Sequence, residues 1–207
     1  VLWFDQNHLL LEFIVSTPAS ATSWERLGTG LALMHTQTQH RFGFHCDNFC
    51  GKTPQPNPMT ADGHRFFAEY RLIYQGNLAV RSGLLDTKAM QQLEGVCARL
   101  EQLIPKQPPT LVHGDLWSGN QLTGEEEQPY LIDPACYWGW AETDLAMTLL
   151  FGGFPDTFYQ AYHSMMKPEP GWHERVDLYN LYHILNHLNL FGSNYYSLAK
   201  KVIRKYA

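Results

Sequence analysis

The sequence predicts an α+β fold: a mainly helical lobe with a small central β-hairpin and a short strand remnant in front. Three observations carry this. Amphipathic runs of helical period, several opened by capping residues, fill most of the chain from residue 22 onward. A stretch of short β-like segments interrupts them between Thr110 and Ile132. Of the 207 residues, 44% are apolar and 17% charged, which suits a packed core and excludes a disordered tail. The length fits one large domain or two small ones. The formal net charge of −5 lacks the basic surplus of a nucleic-acid binder, and Lys200, Lys201, Arg204 and Lys205 are too few to alter that. Without an uninterrupted apolar run of about 18 residues, no transmembrane helix is expected.

In chain order, Trp3-Phe4 and His8–Val15 read as two strands joined by the polar turn Asp5-Gln6-Asn7, and Pro18 ends the run. Thr22 with Glu25 three residues on predicts a capping box, and Leu27, Leu31 and Met34 then share a helix face. Residues 43–58 are rich in Gly, Pro and Asn and predict irregular chain. A helix after Asp62 carries Phe66, Tyr70, Ile73 and Tyr74. Asp86 opens another, with Leu93, Val96, Cys97, Leu100 and Leu103 inward, closed by Pro105, Pro108 and Pro109. Thr110–Val112 predicts a strand, and residues 120–123 with 130–132 predict a hairpin around an acidic turn. Helices follow near Glu142, near Asp156 (Phe158, Tyr159, Tyr162), from about Trp172 (Leu178, Leu181, Leu185, Leu188), and at Leu198, Val202 and Ile203.

Four cysteines stand at 46, 50, 97 and 136. The spacing of Cys46 and Cys50 is not the tight C-x-x-C of a zinc or redox motif. Free thiols in a reducing cytosol are expected, hence a cytoplasmic protein. The first residues lack the basic stretch of a signal peptide.

The strongest chemical signal is His113-Gly114-Asp115-Leu116-Trp117-Ser118-Gly119-Asn120, followed by Ile132-Asp133-Pro134. An Asp after a strand, an Asn five positions on and a second Asp after a hairpin are the inventory of kinase-type phosphoryl transfer. One carboxylate receives or orients the proton of the attacking hydroxyl, while Asn and the second Asp offer hard oxygen ligands to magnesium. The plain alternative, in which Asp115 caps a turn and Asp133 ends a strand, does not account for the whole combination. His183 and His187 have the i, i+4 spacing of metal ligands but no adjacent Glu, so a packed or hydrogen-bonded helix face is expected. Trp117, Tyr137, Trp138 and Trp140 flank the motif and serve equally as sugar-stacking or core residues.

The run from His113 to Asn120 with Asp133-Pro134-Ala135 resembles the fructosamine kinase, or ketosamine kinase, family. So do Phe42-Gly43-Phe44, the stretch Gly51-Lys52-Thr53-Pro54-Gln55-Pro56-Asn57, the run from Phe66 to Leu72, the run from Leu150 to Phe154, and the run from Leu185 to Gly192. The resemblance implies a protein-kinase-like fold and an ATP- and Mg2+-dependent phosphotransferase. Its substrate would be a sugar hydroxyl of ketoamine adducts on proteins or small amines, and phosphorylation at the sugar's third carbon would make the adduct unstable, a deglycation. Position by position, it implies Asp115 as catalytic base and Asn120 and Asp133 as magnesium ligands. It implies Leu11, Glu12, Phe13 and Ile14 as the adenine-binding hinge, and His113 and Asp144 as braces of the catalytic loop. Trp117 is a candidate substrate contact.

The resemblance makes residues 1–17 the end of a smaller lobe plus hinge, and residues 18–207 the helical catalytic lobe. No Gly-rich loop, strand Lys or partner Glu precedes the hinge, and Met59–Gly63 replaces the aromatics usual in the family. The expectation is therefore a back portion of a longer kinase, with weak nucleotide binding by itself and self-association through the N-terminal strands. An inactive binding or scaffold module, or a kinase for another small alcohol of the aminoglycoside or choline kinase type, is the competing expectation.

Overall fold

The computed structural model describes residues 1–207. Two short strands, β1 (Trp3–Phe4) and β2 (Leu9–Leu10), pair antiparallel. Asp5 sets their turn by accepting the backbone N–H groups of Asn7 and His8 at 2.8 and 2.7 Å. The predicted second strand is shorter than expected. Residues 11–16 have no strand partner, and only Thr17 rejoins the body by a bridge to Thr123.

The first helix, α1 (Ala21–His35), starts one residue before Thr22. Its N-cap is Ser20, which exchanges hydrogen bonds with Ser23 in a capping box. The Thr22–Glu25 box is therefore incorrect: a short hydroxyl two residues earlier satisfies the same orphan N–H groups. Leu27, Leu31 and Ala32 of α1 are buried together with Phe158 and Tyr162 of α7 (Asp156–Met165). A Cβ at Gly28 would run into the Phe158 carbonyl oxygen, so this glycine sets how closely the two helices approach.

The stretch expected to be irregular contains a hairpin, β3 (Asn48–Cys50) with β4 (Thr53–Gln55). Three-residue strands with Pro54 inside give little periodicity to read. Asp62 caps α2 (Gly63–Phe67), which runs through a π-turn at Ala68–Ile73 into α3 (Tyr74–Arg81). Asp86 caps α4 (Thr87–Ala98) as expected, and α5 (Leu100–Leu103) follows. Strand β5 (Thr110–Val112) precedes the predicted hairpin of β6 (Gln121–Thr123) and β7 (Pro129–Leu131). Strand β8 (Tyr137–Gly139), not foreseen, pairs antiparallel with β5. Helices α6 (Ala141–Leu150), α8 (Trp172–Phe191) and α9 (Tyr196–Tyr206) complete the chain.

Helix α8 is the axis of the larger core. Leu178, Leu181, Leu185 and Leu188 form its expected inner stripe among 29 buried apolar residues, which supply most of the folding free energy through the area they remove from water. Two buried cations pin the surrounding elements. Arg175 of α8 forks onto Glu142 of α6 at 2.9–3.1 Å, and the Tyr179 hydroxyl donates to the same carboxylate at 2.8 Å. Arg71, in the π-turn, is fully buried without a carboxylate partner. It donates to the Pro56 carbonyl and the Asn57 side chain and stacks 4.1 Å over the Tyr137 ring and 4.5 Å over that of Phe66.

Breaking a buried pair leaves an uncompensated charge. Arg175→Ala is therefore expected to destabilise the protein by about 3–5 kcal/mol, read from the urea unfolding midpoint. A loss below about 1 kcal/mol would show that the pair behaves as a surface contact.

Candidate active site

The loop after β5 is organised by one carboxylate. Asp144, in the first turn of α6 and 1% exposed, accepts the backbone N–H of His113 at 2.6 Å and that of Gly114 at 2.9 Å. It also receives His35 Nε2 at 3.2 Å, and the other ring nitrogen of His35 meets the Tyr162 hydroxyl at 2.7 Å. Burial alone would raise the Asp144 pKa. The His35 hydrogen bond and charge, with the backbone donor of Gly114, outweigh it and hold the group below its ordinary value. The loop is thus hung on a Tyr162–His35–Asp144 chain that reaches α1 and α7.

Gly114 turns the loop at φ +82°, and a Cβ there would collide with the Ala135 carbonyl oxygen, so the position requires glycine. The His113 ring then spans the loop. Its Nδ1 accepts the Asp115 N–H at 3.3 Å while Nε2 donates to the Ile132 carbonyl at 3.0 Å, the tautomer that satisfies both partners.

Asp115, Asn120 and Asp133 line one open cleft of about 530 Å³, together with Trp117, Phe151 and other side chains from α8 and the following turn. The β6–β7 hairpin explains this convergence, because Asn120 leads into one strand and Asp133 follows the other. At its base the Ile132 N–H donates to the Asn120 carbonyl at 3.1 Å. The Asn120 amide donates to the Asp115 carbonyl oxygen at 2.8 Å and to its carboxylate at 3.3 Å, which leaves Oδ1 without a protein donor. Asp133 sits at φ +51°, a left-handed conformation in which Asp is one of the tolerated residues, and its carboxylate is exposed to the cleft. Burial, and then the nearby Asp133 charge, push Asp115 up to about 6. A second buttress comes from the β3–β4 region. Gln55 Nε2 donates to the Ala135 carbonyl at 3.1 Å and Asn48 Nδ2 to that of Cys136 at 2.8 Å, so this hairpin fixes the segment after Asp133.

The remaining candidates are placed as follows. Leu11, Glu12, Phe13 and Ile14 lie outside regular structure and lead to Thr17, whose N–H and hydroxyl bind the Thr123 and Gly124 carbonyls at the tip of the β6–β7 hairpin. They are not part of the cleft lining. Trp117 lines the cleft with its ring against Phe151. Tyr137 and Trp140 are buried in the core, as the core reading expects, whereas Trp138 is half-buried, pairs with Leu111 across β5–β8 and lines neither the core nor the cleft. His183 and His187 do not form a pair. His187 Nδ1 binds the His183 carbonyl at 2.7 Å, whereas His183 faces Asp115. The sequence reading did not single out His35, Gln55 or Arg71. Only the position of His35 on the face of Leu27 and Leu31 pointed to a buried role.

The free Asn120 Oδ1 and the Asp133 carboxylate are hard oxygen donors without protein partners, a set that fits Mg2+. With a half-buried carboxylate beside them, the arrangement can hold a metal-bound phosphate and accept a proton from a hydroxyl in the same cleft.

Known proteins resemble this chain over most of its length. The fructosamine kinase family model matches residues 3–207. A protein of Synechocystis named a probable ketoamine kinase is 46% identical over 203 residues, which cover 96% of this chain and 67% of that one. A chloroplastic protein-ribulosamine 3-kinase of Arabidopsis thaliana is 40% identical over 97% of this chain and 62% of its own. The crystal structure of a protein described as a putative fructosamine-3-kinase from Thermobifida fusca superposes with a TM-score of 0.88 at 33% identity, covering 93% of this chain and 67% of that one. The chain thus spans 62–67% of the length of these proteins.

Because the folded-state pKa of Asp115 is raised above its ordinary value of 3.8, the native state binds more protons than the unfolded state between about pH 4 and pH 6. Stability therefore falls as pH rises through that window. In metal-free protein, Asp115→Asn is expected to remove this fall and to raise Tm at pH 7 by about 3 °C or more. Calorimetry from pH 4 to 8 checks it, and a variant with an unchanged pH profile would show that the carboxylate is fully hydrated.

Proposed function

The chain belongs to the fructosamine kinase family, and from that membership and the geometry of the cleft we propose that the full-length protein transfers the γ-phosphoryl group of ATP to a ketoamine. The acceptor is a sugar hydroxyl of the adduct left on a protein or small-molecule amine. The observation that carries the reading is the convergence of Asp115, Asn120 and Asp133 on one cleft from a loop braced by a buried carboxylate. A structural turn needs none of these three groups in common.

In this reading Asp115 accepts the proton of the attacking hydroxyl, and its environment keeps it an effective base near neutral pH. Asn120 Oδ1 and Asp133 hold Mg2+, which when bound neutralises charge on the phosphates. Asp144 and His113 keep the loop in register, and positioning is most of what such an enzyme contributes. Trp117 offers an exposed indole to the sugar face. Leu11, Glu12, Phe13 and Ile14 present the backbone groups that adenine would bind, so that residues 1–17 are the end of a smaller lobe plus hinge and 18–207 the catalytic lobe. Phosphorylation at the sugar's third carbon, the position in the name of the plant relative, would make the adduct labile and so serve deglycation. No helix is long and apolar enough to cross a membrane, and all four thiols are free. Both fit a cytoplasmic setting.

In the full-length protein, Asp115→Asn and Asp133→Ala are each expected to lower ATP-dependent phosphorylation of a ribulosamine or fructosamine substrate by about 10²–10⁴-fold with an unchanged circular dichroism spectrum. Rates near wild type in either would end the assignment. The 207-residue chain exposes Leu2, Trp3, Phe4, Leu9 and Leu10 around β1–β2, an apolar strand pair prone to join another chain. It is expected to self-associate there, and sedimentation velocity showing a monomer at high concentration would refute this.

A further inference from the structure

Two side chains with no part in the phosphotransfer scheme converge on Asp115. Cys50 ends β3 at the turn into β4, and His183 stands in the middle of α8. The Cys50 sulfur, a carboxylate oxygen of Asp115 and a ring nitrogen of His183 all lie within 4.8 Å of one another. His183 Nδ1 is 3.8 Å from Asp115 Oδ1. That nitrogen is buried and has no hydrogen-bond partner, an uncommon and costly state for an interior polar atom. Cys50 and His183 are 3% and 4% exposed, while Asp115 and Cys50 both reach the cleft. His187 Nδ1 is engaged on the α8 backbone and is not that partner.

The donor set is chemically different from its neighbour. Asn120 and Asp133 offer only oxygen, which suits magnesium. A thiol, an imidazole and one carboxylate are the ligands of zinc, and three protein ligands beside an open cleft leave a fourth position for water. Zinc bonds of about 2.0–2.3 Å place tetrahedral ligands about 3.3–3.7 Å apart, so side-chain rotation of about 1 Å closes the set. We propose that Cys50, Asp115 and His183 form a site for a thiophilic divalent cation, Zn2+, and that filling it switches phosphotransfer off. On binding, the Cys50 S–H bond breaks, a Zn–S bond forms, and the proton leaves to solvent with no change of oxidation state. The switch, though not the site, rests on the reading of Asp115 as proton acceptor: a lone pair shared with zinc is not available to a hydroxyl.

The test is titration of the purified full-length protein with Zn2+ and with Co2+ in excess Mg2+. One equivalent is expected to bind, with a thiolate-to-cobalt charge-transfer band. Cys50→Ser should remove the band, and Cys50→Ser and His183→Gln should each weaken binding by at least about tenfold. Cys46→Ser, at an exposed thiol between His45 and Asp47, should change neither. If Cys50→Ser does not fold, His183→Gln and the wild-type cobalt spectrum decide. Absence of stoichiometric binding by folded wild type, binding indifferent to Cys50 and His183, or binding lost in Cys46→Ser would overturn the site. Zn2+ should also inhibit the Mg2+-ATP reaction, at a concentration at least about tenfold higher for Cys50→Ser, each protein being compared with its own zinc-free rate. Full activity with zinc bound would overturn the switch. Zinc binding at these ligands in a protein that is inactive without zinc would count against the kinase reading and leave the site standing.

Discussion

The Asp144 carboxylate is the constraint on which the site depends. A loop that exposes Asp115 to a cleft must leave its own first amides unpaired by strand or helix, and buried amides without acceptors are costly. Asp144 accepts two of them and His35 besides. Its charge is tolerable in the interior because three donors meet its two oxygens. Tyr162 then orients the His35 ring. A loop hung in this way cannot drift from α6, and Asp115 keeps its place without a regular element of its own.

The rest of the cleft is built by two hairpins used as struts. The β6–β7 pair brings Asn120 and Asp133, thirteen positions apart in sequence, to one base. The β3–β4 pair props the chain after Asp133 through Gln55 and Asn48. Arg71 holds the end of that strut through Pro56 and Asn57, its charge spread over aromatic faces in place of a carboxylate. The same strut carries Cys50 to within 4.8 Å of the Asp115 carboxylate.

What the sequence made legible follows from how each part is encoded. Helices α4 and α8 carry their own caps or stripes, and the β6–β7 hairpin is bracketed by its motif, so all three were readable. So was the membership of Asp115, Asn120 and Asp133 in one kinase-like motif, because their spacing is local. The β3–β4 hairpin was missed because three-residue strands containing proline have no period. Strand β8 was missed because its aromatics serve core and strand alike. The Thr22–Glu25 cap was misread because Ser20 offered a competing hydroxyl. His35, Arg71 and Cys50 act mainly through partners fourteen or more residues away, and no local pattern encodes such contacts.

In the proposed function the Asp144 brace sets Asp115, Asn120 and Asp133 as one phosphotransfer site with separated duties. The most direct measurement is a crystal structure of the full-length protein with Mn2+ in place of Mg2+ and a non-hydrolysable ATP analogue, the metal located by anomalous scattering. Manganese is expected on Asn120 Oδ1 and Asp133 beside the phosphates, with the Asp115 carboxylate free and open to the substrate side of the cleft. Manganese held by Asp115 with Asn120 or Asp133 turned away, or phosphates bound outside this cleft, would contradict it.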